Sequence, residues 1–198
     1  MVPFFRVDVT DKPSLAKVFE EVRPEVVINT AAIASPDVCE QNKELALRVN
    51  VEGAANLAEL STLYDAHLVH LSTDFVFNGC KPFLTEDDIP EPVNYYGFTK
   101  LESEKVVSAY ASSYAIVRTV SVYGYMKTLT RPNFILRVKQ ALEMGQEYRV
   151  PNDQFRTPTL AEDLADAILQ VGTRRIEGLF HISGNDGLTN YQFGLRVA

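Results

Sequence analysis

Short apolar runs alternate along nearly the whole chain with segments of helical period, and no other feature restricts the fold as much. The strand-like runs cover residues 3–7, 25–30, 67–71, 114–119, 147–150 and 179–182. Helices are expected from Thr10 or Asp11 onward, over 36–63, 94–111, 132–144 and 159–171, and from 189 to the end. Thr10 or Asp11 can cap the first, and Pro13 falls in its first turn, where a missing N–H costs nothing. Such alternation is the signature of an α/β protein, a parallel sheet joined by crossover helices. At 198 residues the chain is large enough to bury a core without staples. From about Tyr123 the alternation grows irregular, which suggests a small subdomain after the main sheet.

Composition removes several function classes. The formal net charge is −7 with no basic patch, so neither a nucleic acid nor an anionic membrane is an expected partner. No apolar run approaches the roughly 18 residues of a membrane span. Cys39 and Cys80 match no metal motif and fit a reducing compartment, with cytoplasm as the default. His67, His70 and His181 lie in strand-like segments, form no ligand cluster, and read as packing or rim residues. No metal is expected.

Chemistry gathers between residues 67 and 100. The run His67-Leu-Val-His-Leu-Ser-Thr-Asp-Phe-Val-Phe77 ends a strand in hydroxyl and carboxyl groups, and Asn94-Tyr-Tyr-Gly-Phe-Thr-Lys100 opens a helix. Tyr96 and Lys100 are four apart, on one helix face about 5–6 Å from each other. A cation there would pull the phenol's pKa from about 10 toward working pH, and Tyr96 could then protonate a carbonyl oxygen. The spacing recurs in Tyr123-Gly-Tyr-Met-Lys127, where nothing holds the two groups on one face. That copy reads as chance.

With these motifs in order, the chain resembles the extended short-chain dehydrogenase/reductase superfamily, and most closely its dTDP-4-dehydrorhamnose reductase branch. The other landmarks are Asp8-Val-Thr-Asp11, Val27-Ile-Asn-Thr-Ala-Ala32, Val49-Asn-Val-Glu-Gly-Ala-Ala-Asn-Leu57, Asn152-Asp-Gln-Phe-Arg-Thr-Pro-Thr159 and Phe180-His-Ile-Ser-Gly184. The resemblance implies a Rossmann-like doubly wound parallel sheet with a small C-terminal substrate-binding subdomain. Residues 1–122 would form a partial cofactor-binding region, and 123–198 would add later strands and the subdomain. It implies NADP or NAD as cofactor, Thr73, Tyr96 and Lys100 as catalytic residues, and Asp8, Val9, Thr30, Ala31, Ala32, Asn50, Tyr96, Lys100 and Thr119 along the cofactor. Arg118 and the turn after it would line the nicotinamide side. Asp74, Asn133, Gln154 and Arg156 would face a nucleotide-sugar substrate, in a cytoplasmic enzyme that forms a homodimer.

The chain also departs from that pattern. Its first glycine is Gly53, so the Gly-rich turn that cradles the pyrophosphate is not among these residues. The opening residues then correspond to the family's third strand, and the sequence is expected to be a fragment whose sheet carries a gap. Ser121 and Val38 stand where rhamnose-pathway reductases carry tryptophan and lysine. The leading expectation is an NAD(P)H-dependent reductase of a nucleotide-activated 4-keto-6-deoxy sugar. An epimerase of the same superfamily is an alternative, and so is a non-catalytic subunit resembling the methionine adenosyltransferase β subunit. A dehydratase is disfavoured, because Asp74 is followed by Phe75.

Overall fold

The structure, a computed structural model, describes residues 3–125 and 132–198. Helix α1 (Lys12–Val22) starts where the Asp11 carboxylate accepts the Ser14 N–H, with Pro13 in the first turn. Strand β1 (Val26–Asn29) follows. The single helix expected over 36–63 is instead four pieces: α2 (Pro36–Gln41), α3 (Lys43–Leu47), a π-helical turn (Arg48–Glu52) and α4 (Gly53–Leu63). Asn42, at φ −132° and ψ 63°, leaves helical space and breaks the first join. The wider π turn carries the buried Asn50, and hydrophobic period alone does not register either event.

Strand β2 (His67–Thr73) leads through a 3-10 turn (Asp74–Val76) toward α5 (Tyr95–Tyr110), and β3 (Tyr114–Thr119) follows. Then come β4 (Val122–Tyr123), α6 (Phe134–Glu143), β5 (Phe155–Arg156), β6 (Thr159–Leu160), α7 (Ala161–Thr173), β7 (Gly178–His181), β8 (Leu188–Thr189) and α8 (Asn190–Val197). The chain forms two compact units, Met1–Arg118 with Ile168–His181, and Thr119–Ala167 with Ile182–Ala198.

The first unit holds a four-stranded sheet in the order β1-β2-β3-β7. β1 pairs parallel with β2, Val26 opposite His67, and β3 pairs parallel with β7, Ala115 opposite Gly178. Successive strand residues point to opposite faces. Leu68 joins a core with Leu15, Phe19, Leu57 and Val107 from α1, α4 and α5, while the next residue, Val69, lies against Gly172 of α7. Helices therefore cover both faces, as in a doubly wound α/β sheet, and β2 is buried almost throughout.

Two expected strands do not form. Residues 3–7 have no ladder partner among the described residues, and an extended segment without a neighbour is not a strand. Residues 147–150 are largely exposed and carry a local Arg149–Glu147 ion pair rather than strand pairing.

The second unit has two two-stranded pieces, β4 with β6 in parallel and β5 with β8 antiparallel. Within it Phe134 stacks on Phe193 and Tyr123 lies edge-on to Phe193, while Val138, Ala141 and Leu164 are buried. Among the described residues no helix is long and apolar enough to cross a membrane.

Candidate active site

The site in the first unit forms where β2 runs out. Thr73 is its last residue, and the Thr73 hydroxyl oxygen accepts the Phe75 N–H at 3.2 Å, which starts the 3-10 turn. The same hydroxyl donates to Asp74 Oδ1 at 3.2 Å. Asn94 caps α5 by accepting the Gly97 N–H at 2.8 Å, and Glu40 accepts the Tyr95 N–H at 2.7 Å. A Cβ at Gly97 would lie 2.1 Å from the Phe75 carbonyl oxygen, so glycine is what lets the start of α5 touch the turn. That contact brings the Tyr96 phenol into hydrogen-bonding reach of Thr73, with its ring edge-on to Phe75 at 5.6 Å.

Lys100 lies one helical turn on and is 2% exposed. Its Nζ is 3.1 Å from His70 Nε2. Burial pushes the Tyr96 phenol up to about 12, against the Thr73 hydrogen bond, with Asp74 and Cys39 adding to the rise. Burial also brings Lys100 down to about 8, with Glu104 opposing. The expectation that a Lys100 cation pulls the Tyr96 pKa down is therefore not met. Desolvation sets the direction, and the Lys100 amine is turned to His70.

The residues expected along a cofactor divide into a rim and its supports. Asp8, Val9 and Ala31 line a shallow, open depression with Arg6 and Val7. Asp8 Oδ1 accepts from both the backbone N–H and the hydroxyl of Thr10, which holds its carboxyl below the usual range. Thr30 and Ala31 are exposed and Ala32 is half-buried. Asn29 Oδ1 accepts the Ala31 N–H at 3.0 Å. Asn50 sits behind this loop, accepting the Ile33 N–H at 2.8 Å and donating to the Ile33 carbonyl and to Thr99 Oγ1. It clamps the loop to α5 through bonds that use its whole amide. Val9 is fixed by Asn56, which donates to its carbonyl, and by Gly53, where a Cβ would lie 2.7 Å from Val9 Cγ2. Gly53 thus admits a packed neighbour.

Arg118, expected along the nicotinamide side, has its guanidinium held by Glu104. Its guanidinium donates twice to the buried Glu104 carboxylate, at 2.9 and 2.7 Å, and lies over the Phe77 ring. Ser72 donates to the same carboxylate at 2.5 Å. Sequence reasoning missed Asn29, His70, Ser103 and Glu104. Polar residues at core-facing positions of β1, β2 and α5 were the available signal.

The second unit places Thr119, Asn133, Gln154 and Arg156. Thr119 is buried beside Thr159, hydroxyl to hydroxyl at 3.5 Å. Asn133 caps α6, accepting the Leu136 N–H at 3.1 Å and donating to the Gly124 carbonyl at 2.5 Å. Gln154 is exposed and accepts from Asn190 at 3.2 Å, while Arg156 is half-buried in β5. Of the second Tyr-x-x-x-Lys copy, Tyr123 lies in β4 and Lys127 falls outside the described residues.

Residues 3–198 match the family described as RmlD substrate binding domain. The chain belongs to that family. It is 32% identical to methionine adenosyltransferase 2 subunit beta of Bos taurus over 200 residues, covering 98% of this chain and 60% of the relative. The chain therefore spans about three fifths of the length of that relative. Among solved structures, it is similar to dTDP-4-dehydrorhamnose reductase from Bacillus anthracis in complex with NADP. That match has a TM-score of 0.93 and 32% identity over 99% of this chain and 70% of the other. The corresponding reductase ortholog from Clostridium acetobutylicum gives a TM-score of 0.90 and 36% identity over 96% and 67%. These matches set the first unit's sheet within the Rossmann-like fold of the extended short-chain dehydrogenase/reductases.

Proposed function

We propose that this chain carries the proton-delivery part of an NADP- or NAD-dependent reductase acting on a nucleotide-activated 4-keto-6-deoxy sugar. The observation that carries this reading is the Tyr96 phenol placed beside Thr73 at the end of β2, with Lys100 buried one turn further along α5. With its pKa raised, the phenol holds its proton at neutral pH, which is the form a reduction needs. Thr73 would orient the substrate carbonyl, and Tyr96 would protonate its oxygen. Asp74, Asn133, Gln154 and Arg156 would serve the nucleotide sugar, with Asn133 also capping α6.

The residues present fit the two ends of a nicotinamide dinucleotide. Asp8 offers a fixed carboxylate to the adenine amino group, the small residues 30–32 allow close backbone approach, and Thr119 and Lys100 would serve the nicotinamide end. When bound, that group supplies the hydride. A cytoplasmic homodimer is part of the same proposal.

One observation favours a second reading, a non-catalytic subunit: identity to methionine adenosyltransferase 2 subunit beta is 32%, the same as to the Bacillus anthracis reductase. The deciding experiment follows coenzyme oxidation by the whole protein over a panel of nucleoside-diphosphate 4-keto sugars. A pull-down for a methionine adenosyltransferase catalytic subunit runs beside it. Turnover of at least one sugar is expected. No turnover, with stoichiometric capture of the catalytic subunit, would reverse the ranking.

A further inference from the structure

Beneath Tyr96 runs a buried chain of polar groups that proton delivery does not itself use. His70, in β2, is 1% exposed and lies between Asn29 of β1 and Ser103 of α5. The donors and acceptors can be assigned in turn. Asn29 Oδ1 accepts the Ala31 N–H, so the atom it turns to His70 Nδ1, at 3.0 Å, is the amide nitrogen. An amide nitrogen has only hydrogens to offer, so Nδ1 is the bare, accepting nitrogen and the neutral ring carries its hydrogen on Nε2. Ser103 agrees from the other side. Its single hydroxyl hydrogen goes to the Lys100 carbonyl at 2.6 Å, which leaves Oγ to accept from Nε2–H at 2.9 Å.

Lys100 Nζ lies 3.1 Å from that same Nε2. With its hydrogen given to Ser103 Oγ, Nε2 has no lone pair left for a Lys100 ammonium to donate to, whereas a neutral amine needs no acceptor there. A protonated imidazole is disfavoured too, because a hydrogen on Nδ1 would point at the Asn29 amide hydrogens. We propose that His70 is a positioning residue: locked by Asn29 and Ser103 as the Nε2–H tautomer, it faces Lys100 with a nitrogen that has no lone pair to accept from it and so disfavours the ammonium form of that side chain.

The surrounding charges are consistent with this. Glu104, one turn further along α5, favours the ammonium, but its carboxylate is shared with Arg118 of β3 and with Ser72. Tyr96 holds its proton, and Asp74 bears on Tyr96. His70 itself is pushed well below its ordinary value, by burial first and by Lys100 second. Lys100 thus exchanges its proton far nearer neutrality than an ordinary lysine does. The consequence for turnover rests on the reductase reading, whereas the tautomer and the Lys100 titration do not.

The test uses nitrogen NMR of the histidine rings, of which the chain has three, together with side-chain NMR of labelled lysine. In the unaltered chain, His70 should keep its hydrogen on Nε2 throughout the range in which an ordinary histidine titrates. A hydrogen on Nδ1, or an ordinary titration, would overturn the proposal without any variant. In His70→Gln an amide oxygen can accept from Lys100, and the added side chain carries no charge. The Lys100 proton affinity should then rise about tenfold or more. An unchanged Lys100 midpoint in a folded His70→Gln protein would also overturn it. If the protein reduces keto sugars, the basic limb of its kcat/KM profile should move with that midpoint. A limb that stays put would remove the role in turnover and leave the reductase reading intact. Absence of turnover in the unaltered protein would count against the reductase reading alone, since the NMR readouts need no substrate.

Discussion

The two compact units carry their candidate residues on different kinds of scaffold. In the first, Thr73 ends a seven-residue strand and Lys100 sits in a sixteen-residue helix, both in the interior. In the second, Arg156 belongs to a two-residue strand, Gln154 is exposed, and Asn133 is a helix cap. A side chain on a long buried element has its rotamer set by packing before any ligand arrives, whereas one on a short exposed piece is ordered more weakly. The difference teaches that the proposed proton-delivery residues sit on elements that hold them rigidly, and that the proposed recognition residues do not.

The largest expected effect tests the rigid end. Tyr96→Phe should lower turnover by about 10²–10⁴-fold while leaving coenzyme binding nearly unchanged, because the proton donor goes and the ring stays against Phe75. Tyr123→Phe should leave turnover close to normal. Equal turnover in wild type and Tyr96→Phe would rule out the assignment.

The next effect is on stability. Glu104→Ala strands the Arg118 guanidinium, whose side chain is 4% exposed, and should cost about 3–5 kcal/mol in a urea unfolding titration. A cost near zero would mean that water reaches the pair and that the first unit is less rigid than its burial suggests.

The same contrast explains what could be read from the sequence. The four sheet strands, most of the helices and the Thr73, Tyr96 and Lys100 positions follow from hydrophobic period, caps and spacing, all of which are local. Residues 3–7 and 147–150 carry strand-like composition, yet a strand needs a neighbour, and pairing is a non-local fact. Asn42 and the π turn at Asn50 break a period that looks continuous. His70 read as packing because its worth lies in three partners, Asn29, Lys100 and Ser103, that are 41, 30 and 33 residues away. The two-residue strands of the second unit are too short to leave any periodic trace.

Asn133 gives the smallest and most discriminating effect, because it separates recognition from scaffolding within the second unit. Its amide is used at both ends, one accepting from Leu136 and the other donating to Gly124. Asn133→Ala should therefore cost about 1 kcal/mol, the usual worth of a helix N-cap. Asn133→Ser keeps an oxygen able to accept from the first turn and should recover most of that loss, giving up mainly the bond to Gly124. If the cap is the whole of its role, Asn133→Ser should leave KM for the nucleotide sugar unchanged while thermal unfolding returns toward wild type. A several-fold rise in KM in a fully stable Asn133→Ser protein would instead make Asn133 a substrate contact. The recognition end would then be more pre-organised than its short elements imply.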